Sequence, residues 1–546
     1  MWLYGILLWL CFFSVDGRSR LKRSEQPVCY GCRAGSNVLS VLINYFGLSS
    51  DQITYLSKFV CAAFQNDIKV CEDTIKEQAK IIHHIIKKNP NISPSKMCQL
   101  LHRCNIVSDW EVKIPPKYYE VDNKWTFSGN SFEILHISDI HYDDKYLTGS
   151  PVKCQKFLCC QEDSLFKINA ESTSAGYWGS YGWCDSPGRF VEASLKHINE
   201  KHNNVKYIYF TGDIVSHRIW DTNKKHNLKI IRHVYKELRE KFPGKTIFPV
   251  LGNHETHPVN LFSPINYTDE VLSTQWLYEE IAELWSYWLP NETKETIKRG
   301  GFYTVLVEPG FRIIALNSNV AQIFNWWLFL IDNIDPYGQL QWMVDVLTEA
   351  ERNNEVVHII SHVPSNGREV EKVWSREFRK ILDRFRHVIR GIFNGHTHLD
   401  EFILYHAKEF PYEPTVLAWN GGSLTTYHED KFVNPSYRVF DIDAKNFNTI
   451  DYTQFTFNLT EANLYEEEPK WYELYSFRKA YGVEKLAPEI IENVLLKMKD
   501  DVGMQEMNFR YSVREAPGNY CNNNCLKSIW CGLYSSESKE NLENCF

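Results

Sequence analysis

Five short polar motifs each follow an apolar, β-rich run, and this order constrains the fold more than any other feature of the chain. The carboxyl ends of strands in an α/β fold meet at one edge of the sheet, where ligand sites form. We therefore expect the motifs to converge on one site. They are Asp139-Ile140-His141, Gly212-Asp213, Gly252-Asn253-His254-Glu255, His362 and Gly395-His396-Thr397-His398.

Seven side chains in these motifs carry nitrogen or oxygen donors of the kind that bind a pair of metal ions. Two cations about 3.5–4 Å apart can activate water for attack on a phosphodiester, offset its charge and hold the leaving oxygen in line. Such a pair needs neutral imidazoles and a bridging carboxylate. Asp213 is best placed to bridge, and Asn253 offers a neutral amide oxygen. The predicted ligands are Asp139, His141, Asp213, Asn253, His362, His396 and His398.

In this order, the motifs resemble those of the calcineurin-like metallophosphoesterase family. Other segments, such as Gly176-Tyr177-Trp178-Gly179 and Asn434-Pro435-Ser436-Tyr437-Arg438-Val439, resemble the acid sphingomyelinases within it. The resemblance implies an α/β fold with a central β-sandwich flanked by helices, preceded by an all-α saposin-type domain and followed by a helical C-terminal segment. It also implies two zinc ions per chain, one bound by Asp139, His141, Asp213 and His398, the other by Asp213, Asn253, His362 and His396.

Two further histidines are candidates for proton transfer. A leaving alkoxide needs a proton, and an imidazole that is charged near pH 5 can donate one. The resemblance assigns acid and phosphate-stabilising roles to His254, which Glu255 could orient, and to His217. The alternative is that both histidines are structural. Tyr427 resembles a tyrosine that contacts substrate, and a packed tyrosine is the alternative.

The chain divides into several units. The apolar run at 3–15 is too short to span a bilayer, which takes about 20 residues, so we predict a signal peptide, with a short anchor as the alternative. Helical periodicity dominates the next segment, and Pro115-Pro116 marks a linker. The predicted units are the signal peptide at 1–17, the saposin-type domain at 27–105, the linker at 106–130, the metallophosphoesterase domain at 131–460 and a helical C-terminal region with two disulfide loops at 461–546.

The cysteines indicate an oxidising compartment. Of the fifteen, Cys11 lies in the predicted signal peptide, and the other fourteen fall into three local clusters, which is typical of disulfide bonds in exported proteins. Four N-x-S/T sequons, at Asn91, Asn266, Asn291 and Asn458, agree with that route. The resemblance implies the pairs Cys29–Cys104, Cys32–Cys98, Cys61–Cys71, Cys154–Cys159, Cys160–Cys184, Cys521–Cys525 and Cys531–Cys545.

Charge separates the N-terminal segment from the rest of the chain. The formal net charge is −8, which argues against nucleic acid as a partner. Residues 27–105, however, contain nine Lys/Arg and five Asp/Glu, a balance of +4. Saposin-type modules act on lipid surfaces, so the resemblance implies that this segment docks on anionic membranes. The alternative is a helical cap with no lipid role. We expect a monomer.

The resemblance implies hydrolysis of sphingomyelin to ceramide and phosphocholine, with a hydroxide that the two metal ions activate attacking phosphorus. A secreted phosphodiesterase of the same superfamily that acts on nucleotides or other small phosphodiesters is the alternative, although such relatives lack a saposin-type module. A lipid-binding protein with an inactive phosphoesterase domain is a third hypothesis, and the intact set of seven ligands argues against it. The expected location is the secretory pathway, either secreted or lysosomal.

Overall fold

The computed structural model of the protein describes residues 25–64, 67–102, 104, 110–117, 125–164, 174–265, 267, 269, 271–330, 335, 337–408 and 413–538. The predicted signal peptide at 1–17 lies outside these ranges. Among the helices within them, none has both the length and the apolar character that crossing a membrane requires.

Four amphipathic helices form the N-terminal part of the described chain. They are α1 (Glu25–Asn44), α2 (Ser50–Phe64), α3 (Ile68–Lys88) and α4 (Pro94–His102). Asp67 caps α3 by accepting a hydrogen bond from the Val70 amide over 3.1 Å, which satisfies one of the unpaired amides at the helix start. Disulfide bonds join Cys29 to Cys104, Cys32 to Cys98 and Cys61 to Cys71, which are the pairs that the resemblance implied.

Helix α3 packs against the phosphoesterase part of the chain. Its apolar residues share a buried cluster with Trp327, which lies in a 3₁₀ helix at Trp326–Leu330. Gln78 accepts a hydrogen bond from the Trp326 indole. Val70, in the first turn of α3, packs with Trp220 and Tyr427. The N-terminal helices therefore share apolar packing with the rest of the molecule.

Two six-stranded mixed sheets form the central part. Their strand orders are β14-β13-β12-β1-β4-β5 and β10-β11-β9-β8-β7-β6. In the first sheet, β1 (Ser131–Ile137), β4 (Tyr207–Phe210) and β5 (Thr246–Pro249) run parallel, and β12 (Ser436–Asp443), β13 (Thr449–Thr456) and β14 (Tyr472–Ser476) pair antiparallel. The second contains β6 (Tyr303–Glu308), β7 (Phe311–Ala315), β8 (Val356–Ile360), β9 (Ile389–Asn394), β10 (Asp400–His406) and β11 (Pro414–Gly421). The short strands β2 (Tyr142–Asp143) and β3 (Ser186–Pro187) pair separately.

The two sheets pack face to face. Phe393 of β9 contacts Phe440 of β12 with ring centroids 4.9 Å apart. The hydroxyl of Tyr209 on β4 donates to Nδ1 of His358 on β8 over 2.8 Å. Such contacts bury the apolar inner faces of both sheets. The predicted central β-sandwich is confirmed.

Helices cover the outer faces of the sandwich, as predicted for an α/β fold. Phe190, Leu195 and Val234 join the core of the first sheet, while Trp374 and Leu382 pack with the second. The flanking helices are α5 (Gly188–Lys201), α6 (Lys224–Lys241), α7 (Gln275–Trp285), α8 (Lys294–Gly300), α9 (Gln339–Arg352) and α10 (Lys372–Arg384).

The region predicted to be the helical C-terminal segment also contains a strand. β14 pairs antiparallel with β13, so the first sheet continues beyond residue 460. The five-residue strand is too short to give a clear period-2 signal in the sequence. The helices here are α11 (Leu459–Tyr465), α12 (Phe477–Tyr481), α13 (Pro488–Asp500), α14 (Val502–Ser512) and α15 (Asn523–Tyr534). Cys521 pairs with Cys525; Cys531 is also disulfide-bonded, and its predicted partner Cys545 lies outside the described residues.

Residues 110–117, within the predicted linker, lie along α10. The Val112 amide donates to Glu377 over 3.1 Å, and Arg384 donates from Nε to the Pro115 carbonyl over 3.0 Å. Val112 is buried in the core of the second sheet. Specific contacts therefore fix this stretch to the sandwich, and its two prolines further limit its flexibility.

Candidate metal centre

The seven predicted ligands lie at the carboxyl ends of strands from both sheets. In the first sheet they follow β1, β4 and β5, and in the second they follow β8 and β9. Left-handed backbone is uncommon for residues other than glycine, and a cluster of it is typical of functional sites. Five of the seven adopt it, with φ of 52° at Asp139, 42° at His141, 58° at Asp213, 74° at His396 and 56° at His398.

Glycines in the motifs leave room for the ligand side chains. A Cβ atom added at Gly252 would collide with the Asp213 carboxylate. One added at Gly395 would lie 2.7 Å from Oδ2 of Asp139. Gly212 has a φ of 88° and lies against the backbone of Gly252. The glycine of each of these motifs is therefore required by close approach or by backbone conformation.

The first donor group consists of Asp139, His141, Asp213 and His398, whose ligand atoms all lie within 4.8 Å of one another. The two imidazoles face each other, with 3.1 Å between their Nε2 atoms. Each Nδ1 must carry its proton, because it contacts a carbonyl oxygen that can only accept. Those carbonyls belong to Val215, 2.8 Å from His141 Nδ1, and Tyr427, 2.6 Å from His398 Nδ1. With both rings neutral, the two Nε2 lone pairs point at one another, an arrangement that fits a cation between them.

The second donor group consists of Asp213, His362 and His396, with Asn253 between them. Oδ1 of Asn253 lies 3.0 Å from His362 Nε2 and 2.9 Å from His396 Nδ1. The Asn253 amide nitrogen donates to Oδ1 of Asn260 over 2.9 Å, which turns the amide oxygen toward the site. His362 donates from Nδ1 to the Thr211 carbonyl over 2.7 Å, so its Nε2 faces the group as a lone pair.

Asp213 belongs to both groups, and its charge dominates their electrostatics. Oδ2 of Asp213 lies 3.3 Å from His141 Nε2 and 3.1 Å from His362 Nε2. Burial acts to lower the pKa of both histidines, yet without a cation the Asp213 carboxylate raises each to about 9, so a cation that binds these Nε2 atoms displaces a proton from each ring. Burial likewise opposes ionisation of Asp213, but His362, His254 and His141 hold the pKa of its carboxyl well below its usual range. A buried carboxylate between two imidazoles is a suitable bridge for two cations.

His217 lies beside the first group, and it is positioned by a residue that the sequence did not reveal. Its Nδ1 lies 2.9 Å from Oδ1 of Asp185, and its amide donates to Oδ2 over 2.7 Å. Thr425 also donates to Asp185, over 3.1 Å. Asp185 directly follows Cys184 and carries no motif of its own, so only its position in the fold marks it. This carboxylate leaves Nε2 of His217 directed away from it.

His254 lies next to His217, with ring centroids 4.4 Å apart. Its main-chain amide donates to Oδ1 of Asp213 over 2.9 Å. Glu255 does not orient the ring as expected. Instead, Oε1 of Glu255 accepts from the Ile214 amide over 3.1 Å, which braces the loop after β4. The cause is the direction of the backbone, which turns the Glu255 side chain into the protein, where it is 1% exposed.

Tyr427 is packed rather than open to solvent. Its ring stacks on His217 with centroids 3.6 Å apart and an interplanar angle of 9°. Its hydroxyl donates to the Phe157 carbonyl over 3.0 Å, and the residue is 6% exposed. These contacts fit the packed alternative and make Tyr427 a support for the His217 ring.

The described residues therefore form a buried centre for divalent metal ions, built from histidine and carboxylate donors with a common aspartate. In each group, imidazole nitrogens and carboxylate oxygens lie within 4.8 Å of one another, which is a donor set that suits a cation. The cysteine-rich segment beside the centre is closed by two further bonds, Cys154–Cys159 and Cys160–Cys184.

Comparison with known proteins agrees with this geometry. Residues 132–400 match the family of calcineurin-like phosphoesterases, and residues 418–540 match the acid sphingomyelin phosphodiesterase C-terminal region. The chain is 36% identical to the sphingomyelin phosphodiesterase of Bos taurus and 34% to that of Homo sapiens, in each case over 82% of this chain and 72% of the relative. It is 29% identical to sphingomyelin phosphodiesterase 1 of Caenorhabditis elegans, over 94% of this chain and 92% of the relative. The chain belongs to the acid sphingomyelinase family of calcineurin-like phosphoesterases.

Proposed function

We propose that the protein hydrolyses sphingomyelin to ceramide and phosphocholine at this centre. The observation that carries the proposal is the Asp213 carboxylate shared by two groups of metal donors. Two bound cations would supply an activated water and offset the charge of the phosphodiester. The relatives that are sphingomyelin phosphodiesterases support the choice of substrate.

We propose zinc as the metal, at two ions per chain. Imidazole nitrogen suits zinc, and the first group offers two histidines with two carboxylates. Asp139, His141, Asp213 and His398 would hold one ion; Asp213, Asn253, His362 and His396 would hold the other. Mass spectrometry of protein purified without added metal tests the assignment, and manganese or iron in place of zinc would refute it.

The reaction breaks the bond between phosphorus and the ceramide oxygen, and that oxygen takes up a proton as it leaves. His217 and His254 are the side chains we assign to this transfer and to stabilising the phosphate. Asp185 holds the Nδ1 proton of His217, so its Nε2 is the atom available to the substrate. Burial lowers the pKa of both histidines, and the anionic phosphate of a bound substrate acts in the opposite direction.

The N-terminal helices, which we assign to a saposin-type unit at 27–105, would dock the enzyme on anionic membranes. Tyr45 and Phe46, just after α1, are 84% and 77% exposed. Tyr55 and Phe59 lie one helical turn apart on α2 and are 58% and 57% exposed. Exposed aromatic side chains on a basic segment are typical of proteins that bind a membrane interface.

Point substitutions test this docking better than deletion, because α3 shares a core with Trp327 and removing it would expose that core. The variant Tyr45→Ser with Phe46→Ser should bind vesicles of phosphatidylserine and sphingomyelin more weakly in a flotation assay. Tyr465→Ser, at a 61% exposed tyrosine that ends α11, is the matched control. Equal binding by both variants would contradict docking through the helices.

A direct assay separates the proposal from hydrolysis of soluble nucleotides. Purified protein is offered sphingomyelin vesicles or a nucleotide phosphodiester, with and without a chelator. We expect faster turnover of sphingomyelin and loss of that turnover with chelator. Preference for the nucleotide would favour the alternative substrate, and chelator-insensitive turnover would contradict the metal centre.

We also propose that the protein is a monomer of the secretory pathway, either secreted or lysosomal. Disulfide bonds persist in oxidising compartments, and six are formed between described cysteines. Asn91, Asn291 and Asn458 are exposed, as glycan attachment requires, while Asn266 lies outside the described residues. Electrophoretic mobility before and after enzymatic removal of glycans tests whether these asparagines are glycosylated. Light scattering measures the mass in solution and so tests the monomer.

A further inference from the structure

His217 is anchored through Nδ1, as are three of the four histidines of the metal centre. His141, His362 and His398 each donate from Nδ1 to a main-chain carbonyl, at distances of 2.8, 2.7 and 2.6 Å. His217 makes the equivalent bond to the Asp185 carboxylate. A carboxylate on one ring nitrogen fixes the tautomer and increases the basicity of the other, which is the usual arrangement behind a histidine that binds metal.

A second imidazole, that of His254, lies beside His217, with ring centroids 4.4 Å apart. The ligand atoms of His141, His217 and His254 all lie within 4.8 Å of one another. His217 and His254 are partly exposed, whereas His141 is buried. Within the described part of the chain, the His254 ring nitrogens make no hydrogen bond. The two outer rings are therefore partly accessible to solvent.

His141 is already engaged in the first donor group, between His398 and Asp213. With that group filled, an additional ion would be left with the Nε2 atom of His217, a ring nitrogen of His254, and water. The buried Asp185 carboxylate behind His217 supplies compensating negative charge. Two imidazoles form a weaker site than the four-donor groups beside it, and they select ions that prefer nitrogen.

We propose that His217 and His254 form a third, weaker metal site, which takes a nitrogen-preferring divalent ion such as Cu²⁺ or excess Zn²⁺ and thereby inhibits the enzyme. An ion at this site occupies the ring nitrogens that would otherwise transfer a proton to the leaving oxygen. The inhibition rests on the proposed role of these histidines, whereas binding of the ion does not.

The test starts from enzyme that carries two zinc ions per chain, to which Cu²⁺ is added. Calorimetry should show one further equivalent binding more weakly than the resident zinc. Electron paramagnetic resonance should show coupling of the copper to imidazole nitrogen, and mass spectrometry should show that both zinc ions remain. Displaced zinc, or copper without nitrogen coupling, would overturn the site.

Three variants locate the ion. His217→Gln and His254→Gln should each abolish the nitrogen-coupled signal while the two zinc ions remain. Asp185→Asn keeps both imidazoles and should weaken copper binding by about 10–100-fold, the usual effect of removing a carboxylate behind a metal-binding histidine. His226→Gln, on α6, is the control and should bind copper as the unaltered protein does. Unchanged copper binding in the first two variants would refute the assignment.

Activity measured in the same titration separates this inference from the proposed function. Loss of sphingomyelin hydrolysis in parallel with the nitrogen-coupled signal supports inhibition through the third ion. A filled site without loss of activity would refute the inhibition and the proton-transfer role of the two histidines, and the binding site itself would stand.

Discussion

Arg514 donates from Nη1 to the main-chain carbonyl of His398 over 2.7 Å. The arginine lies just after α14, in the C-terminal region, and is completely buried. It also donates from Nε to the Asn434 carbonyl over 2.9 Å. The C-terminal region therefore reaches into the sandwich and fixes the loop that carries two of the predicted metal ligands.

Replacing this guanidinium should loosen the ligand loop. Arg514→Met removes its charged hydrogen bonds, each worth about 1.5–3 kcal/mol, and leaves the His398 carbonyl without this donor. We expect a lower free energy of unfolding and loss of at least one metal ion, measured by urea denaturation and mass spectrometry. Arg510→Met, at an exposed position on α14, should change neither quantity. Full metal content in Arg514→Met would contradict the positioning role.

The two donor groups predict different metal contents for substitutions at Asp213 and at Asn253. Asp213→Asn removes the shared carboxylate, so both ions should be lost. Asn253→Ala removes a donor of the second group only and should leave about one ion per chain. Metal content measured after dialysis distinguishes them. Loss of a single ion from Asp213→Asn would show that this carboxylate does not bridge.

Asp185 should affect turnover without affecting metal content. The Asp185 carboxylate accepts hydrogen bonds from three donors. In Asp185→Asn, the side-chain NH₂ group would face one of these donors and could not accept from it, so the His217 tautomer would no longer be fixed. If His217 is the acid, kcat should fall by about 10²–10⁴-fold with KM nearly unchanged and both ions retained. Asp144→Asn, at an aspartate paired with Lys229 on the surface, is the control. A change in KM alone would contradict the role.

His358 should make the fold sensitive to acid. It is buried between the sheets, where its Nε2 donates to the Phe447 carbonyl and its Nδ1 accepts from Tyr209, so the neutral ring is fully hydrogen-bonded. Burial lowers its pKa to about 4. In the unfolded chain the same histidine binds a proton near pH 6.5. The stability that the buried neutral ring contributes is therefore fully present above pH 6.5 and is lost as the pH falls toward 4.

Urea denaturation of His358→Gln at several pH values between 7 and 4 measures this effect. The variant should lack up to about 1.4 kcal/mol of pH dependence for each unit below 6.5, which corresponds to one proton. Its stability at pH 7 serves as the internal reference, because any packing defect lowers all points equally. An unchanged slope would show that other groups determine the acid sensitivity.

The order of the motifs predicted that seven candidate donors would lie together at strand ends, and the family resemblance predicted the sandwich. Each motif directly follows an apolar strand, and parallel strand ends meet at one edge, so local pattern fixes where these side chains lie. Cysteine spacing alone left the pairings open, and the resemblance supplied them. The helical periodicity of the N-terminal segment likewise predicted its helices.

Only the tertiary structure showed which residues, far from the motifs in sequence, contact the donors and their loops. Asp185 and Arg514 lie in no motif. Their importance follows only from their contacts, Asp185 with the His217 ring and Arg514 with the loop that carries His398. The stacking of Tyr427 on His217 and the packing of α3 against Trp327 likewise join segments far apart in the chain. Sequence pattern reports the periodicity of one element at a time, whereas these contacts depend on how several elements pack together. For this protein, the local sequence determined the chemistry available at the site, and packing determined which side chains position it.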